Sequence, residues 1–81
     1  MDRLFPEMSA RCEETRQALR EHMARHGLSE GDGWRVYEFT RQGEAGTELV
    51  MRPVHTTLNA PAELECVCRV EESQATSECR D

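Results

Sequence analysis

At 81 residues the chain has room for one small domain, and six Leu, five Val and two Phe give it only 13 of the large residues that normally build a core, with no Ile at all. A chain this short buries only about 60% of the surface its unfolded form exposes, which argues against a large enzyme core and a second domain within it. The formal charge of −6 excludes a basic nucleic-acid binder of the usual kind, and no run approaches the ~18 apolar residues of a membrane-spanning helix.

In chain order, residues 6–26 read as one helix. Pro6 suits the first turn, where a missing N–H costs nothing. Glu7 with Arg11 and Glu21 with Arg25 stand one turn apart in the favourable acid-first order. Gly27 is placed to end the helix in a left-handed conformation, with Leu28 folding back on the last turn. The buried stripe runs Met8, Cys12, Thr15, Leu19, His22 or Met23, and His26, which is thin for a helix that must hold a core.

Ser29–Gly33 is a Gly/Asp/Ser connection, and three strands are predicted after it: Trp34–Arg41, Thr47–Val54 and Ala62–Glu71, the first two joined by a turn at Gly43–Gly46. The third has a clean period of two, with Ala62, Leu64, Cys66, Cys68 and Val70 on one side. Residues 73–81 read as a loose polar tail, leaving 1–72 as the domain. The expected fold class is α+β: one N-terminal helix packed on a three-stranded antiparallel sheet, in an α-β-β-β meander.

Two registers of the first hairpin fit the pattern, and they differ in which face each side chain takes. With Phe39 opposite Leu49, Tyr37 and Phe39 turn toward the helix, and Trp34, Val36, Val50, Val54 and Val67 lie on the opposite face. A slip of one residue turns Trp34 and Val36 inward and Tyr37 and Phe39 outward. Either way, aromatic and valine side chains lie on a face that no helix covers, rimmed by charge, as in an association surface.

Four cysteines invite two chemistries. Met1–Ser9 carries Asp2, Arg3 and Glu7 and no apolar run of the kind a secretory leader needs. The expectation is therefore a cytoplasmic chain with free thiols, Cys12 buried in the helix stripe and Cys79 loose in the tail. Cys66 and Cys68 would show both sulfurs on one strand face, and His22 and His26 lie one helical turn apart. Together they form the alternative reading, a metal-binding or thiol-sensing domain. The first reading treats both cysteines as core residues and expects no cofactor and no metal. Gly31–Gly33 and Gly43–Gly46 match no nucleotide-binding fingerprint, and no spacing pairs a nucleophile with a base, so no catalytic residue is expected.

Charge is uneven along the chain. Residues 1–28 balance five acids with five arginines, whereas residues 61–81 hold six acids and two arginines, a net −4. Glu63, Glu65 and Glu71 fall on one side of the third strand. The sequence therefore points to a non-enzymatic inhibitor or adaptor that docks on a basic patch of a partner protein, with a nucleic-acid-handling protein as one such partner and a homodimer as another arrangement. Small bacterial or phage accessory proteins share this profile, and phosphate mimicry by the acidic row would be its extreme form. The contact residues expected are Trp34, Val36, Val50 and Val67 for area, and Glu63, Glu65 and Glu71 for steering. Neither nucleic acid nor a membrane is an expected direct partner.

Overall fold

The computed structural model describes residues 4–44, 46–59, 63–71 and 74–80. Two helices, α1 (Leu4–Arg11) and α2 (Glu13–Arg25), and a short 3-10 turn at Glu30–Asp32 precede four strands: β1 (Arg35–Gly43), β2 (Gly46–Val54), β3 (Glu65–Glu71) and β4 (Gln74–Arg80). All neighbours are antiparallel, in the order β1-β2-β3-β4. The α+β class stands, with two corrections: there are four strands rather than three, and two helices rather than one. Among the described residues, no helix is long and apolar enough to cross a membrane.

The helix breaks at Cys12, which leaves helical geometry (φ −104°, ψ 25°) while its sulfur bonds to Cys68 of β3. Ser9 and Arg16 bind across the break, the guanidinium donating to the Ser9 carbonyl at 3.0 Å and to its Oγ at 2.6 Å. The far end behaves as the sequence predicts. Gly27 takes φ +74°, its N–H reaches the Ala24 carbonyl, and the Leu28 N–H reaches that of Met23 at 2.8 Å, a paired closure that satisfies the last carbonyls. The stripe of Met8, Cys12, Thr15, Leu19 and Met23 is buried as expected, whereas His22 is half-buried and His26 exposed.

The segment expected to be a loose tail contributes β4. Its side chains are nearly all exposed, so hydrophobic pattern gave no sign of it. A disulfide from Cys79 to Cys66, its direct opposite in the β3–β4 register, and a hydroxyl contact between Thr15 and Ser77 hold it in place. The predicted start of the third strand at Ala62 lies outside the described residues, and β3 opens at Glu65. Pro53 has no N–H to extend the β2–β3 ladder, whose last pair is Met51 with Cys66.

The core lies between the helices and one face of the sheet: Met8, Cys12, Leu19, Met23, Trp34, Leu49, Met51, Leu64, Cys66 and Cys68. All four cysteines are paired, Cys12 with Cys68 and Cys66 with Cys79. This corrects the expectation of free thiols. A core with so few large aliphatics is small even for this length, and covalent staples are the usual supplement. Beside it, His55 packs on Trp34 with ring centroids 5.0 Å apart. Its Nδ1 accepts from the N–H groups of Thr57 and Leu58, so the proton sits on Nε2, which donates to the Asp32 carbonyl at 3.0 Å.

Candidate functional site: the open face of the sheet

Phe39 stands opposite Val50, so the slipped register is the one adopted. Val36, Glu38 and Thr40 therefore share the helix side with Leu49 and Met51, and Tyr37, Phe39 and Arg41 face the other way. The uncovered face consists of three rows running across the strands. The central row is Phe39, Val50, Val67 and Glu78, the second is Arg41, Glu48, Arg69 and Thr76, and the third joins Tyr37, Arg52, Glu65 and Arg80. An apolar strip thus lies between two charged rows.

The charged side chains of those rows are ion-paired. Glu48 accepts from Arg41 Nε at 3.0 Å and Arg69 Nε at 2.6 Å, its neighbours on either side in register. Arg69 also reaches Glu78 at 3.5 Å. Glu65 accepts from Arg80 at 2.5 Å and lies 3.7 Å from Arg52. Hydrogen bonds from Arg41 and then Arg69 hold the Glu48 carboxyl below the ordinary value of 4.5. Val50 is fully buried and Val67 nearly so on this face, and Arg41, Arg69 and Arg80 border a hollow beside Val67. Tyr37 is 53% exposed and Val54 40% exposed on this face, and the Tyr37 and Phe39 rings lie 5.5 Å apart.

The residues singled out from the sequence scatter over this frame. Trp34 is buried on the helix side and Val36 is half-buried against the same core, so neither lies on the open face. Val50 and Val67 do lie on it, adjacent to each other. Glu65 is there too, buried between two arginines, while Glu63 sits exposed in the turn before β3 and Glu71 is exposed at the end of that strand. The expected acidic row is therefore matched by Arg41, Arg52, Arg69 and Arg80, and the face is close to charge-balanced. Tyr37 and Phe39, which the slipped register turns outward, were not among the expected contact residues, and sequence reasoning missed these arginines as a group. The signal for Tyr37, Phe39 and Arg41 was their i,i+2 spacing on β1, legible only once the register is known, whereas Arg52, Arg69 and Arg80 come from the other three strands.

Cys66 and Cys68 carry disulfides rather than thiolates, and His22 accepts from Arg25 at 3.1 Å. Among the described residues, no group of three or more His, Cys, Asp and Glu side chains is placed to hold a metal ion. A hollow of about 510 Å³ at the hairpin end is lined by Arg41, Gln42, Glu48 and Arg69, charges that already satisfy one another. The chain matches no protein family, no curated protein and no solved structure.

Proposed function

We propose that the chain is a non-enzymatic interaction module, an inhibitor or adaptor, which engages a partner protein through the open face of its sheet. The observation that carries this reading is the exposure of Tyr37 and Val54 beside a packed strip between two ion-paired rows, on the side the helices leave bare. An amphipathic aromatic with a rigid support and a charged surround is the usual make-up of a binding hot spot. The net charge of −6 attracts a basic partner over distance, and the alternating Arg and Glu groups set its register on contact.

The paired cysteines favour an oxidising compartment over the reduced cytoplasm expected from the sequence. Thiol labelling of protein isolated under acid quench would then find no free cysteine before reduction.

The binding test is differential capture from a cell extract under non-reducing conditions. Tyr37→Ala is expected to weaken a captured partner about tenfold or more, while Glu21→Arg on the helix side leaves capture unchanged. Equal retention by Tyr37→Ala and the parent chain would remove the open face from the reading.

A further inference from the structure

We infer that β1 is a self-complementary edge and that two copies of the chain pair there, antiparallel, into a continuous eight-stranded sheet. This goes beyond the partner reading and concerns the edge of the sheet, although both draw on Tyr37; Thr40→Pro separates them, because it alters the edge and leaves Tyr37 in place.

β1 is the outermost strand at one side of the sheet, nine residues long, and among the described residues no backbone bond outside its pairing with β2 involves it. The phase of its unpaired groups follows from the hairpin. Gly43 and Gly46 close a two-residue loop and face each other, so they exchange hydrogen bonds, and alternation makes Arg41, Phe39, Tyr37's position and Arg35 the bonded partners of β2. Pro53 agrees with this, because it stands opposite Val36, one of the positions where no bond to β1 is made. The N–H and C=O groups of Val36, Glu38, Thr40 and Gln42 therefore point outward.

An antiparallel mate can bond only where outward groups meet outward groups, which restricts the registers. Centring the two-fold on Glu38 sets Glu38 against its copy and Arg35 against Arg41 of the mate, like charges directly opposed. Centring it on Thr40 leaves Arg35 and Val36 without a mate. Centring it on Phe39 pairs the whole strand. Phe39 then meets its own copy, Tyr37 meets Arg41 of the mate, and Glu38 meets the Thr40 hydroxyl, with no like charges opposed. The first contact is an aromatic pair and the second places a guanidinium on a ring. The pairing covers Tyr37, the exposed aromatic of the open face. β4, the other edge, offers Gln74, Thr76, Glu78 and Arg80 on that face and has no comparable apolar surface to bury.

The test uses the full chain with its disulfides intact, by sedimentation from about 1 μM to about 1 mM and by amide hydrogen exchange. The expected result is a dimer in which the Val36, Glu38, Thr40 and Gln42 amides exchange at least about tenfold more slowly than in the monomer. The Tyr37, Phe39 and Arg41 amides, bonded to β2, are protected in both states. Thr40→Pro removes an outward N–H and spares the hairpin, and should raise the dimer dissociation constant on the order of a hundredfold. A monomer at every concentration would overturn the inference. So would a dimer whose four outward amides stay fast, which would place the contact elsewhere, or a folded Thr40→Pro variant that dimerises as tightly as the parent.

Discussion

Glu48 and Glu38 are two carboxylates on opposite faces of the sheet, and each is held ionised by arginine. Glu38 takes 2.6 and 3.0 Å hydrogen bonds from Arg16 and a third from Ser9, and the Arg16 contact pulls its carboxyl below the ordinary 4.5 against the opposing cost of burial. Glu48 is lowered by Arg41 and Arg69 in the same direction. A carboxyl lowered by folding stabilises the native state above its unfolded value and loses that contribution as pH falls through the lower folded value. The urea midpoint should therefore drop as pH is taken from neutral to below 4.5. Glu48→Gln and Glu38→Gln should each flatten that decline, and an unchanged slope in both would mean the arginines hold these groups no better than water does. In the sequence, these glutamates look like any others. Which arginine meets which glutamate depends on register, and no spacing along the chain reveals it.

At the level of elements, β4 shows how a strand can form without a hydrophobic pattern. Its exposed polar residues gain little from burial, so its position depends on the ladder to β3, the Cys66–Cys79 bond and ion pairs from Arg69 to Glu78 and from Arg80 to Glu65. Closing a loop over a separation of 13 residues contributes about 3 kcal/mol in the chain-entropy account. Replacing both Cys66 and Cys79 by Ser should lower stability by about that amount and speed amide exchange along 74–80 more than along β1 and β2. Uniform loosening of all four strands would instead mean that β4 is integral to the sheet's cooperativity. The two helices give the complementary case. Their buried stripe and the Gly27 closure were legible because helical periodicity and a left-handed glycine are local properties. The break at Cys12 was not, since it comes with a bond to a residue 56 positions away.

For the whole molecule, the disulfides decide whether so small a core suffices. The Cys12–Cys68 bond spans a separation of 56 residues and ties the helices to β3, contributing about 4 kcal/mol on the same scale. Together the two bonds are comparable to the ~5–15 kcal/mol total stability of an ordinary domain. Treatment with a phosphine reductant should therefore abolish, or nearly abolish, the cooperative thermal transition seen by circular dichroism. A transition shifted by only a few degrees would show that the core of Leu19, Leu49, Met51 and Leu64 sustains the fold alone.

By itself the sequence determined the α+β class, the helical stripe, the hairpin at Gly43–Gly46 and the presence of a sheet face that no helix covers. Each of these follows from short-range periodicity or from residues that tolerate only certain backbone angles. Tertiary structure alone decided the rest. A one-residue choice of register, which leaves every local preference satisfied, sent Trp34 and Val36 into the core and brought Tyr37 and Phe39 out. The same choice aligned Arg41, Arg52, Arg69 and Arg80 with the glutamates they neutralise, and the fold paired each cysteine with a distant or cross-strand mate. Such pairings are fixed by how the layers fit together, because charge and sulfur chemistry act between side chains in space and leave no period along the chain.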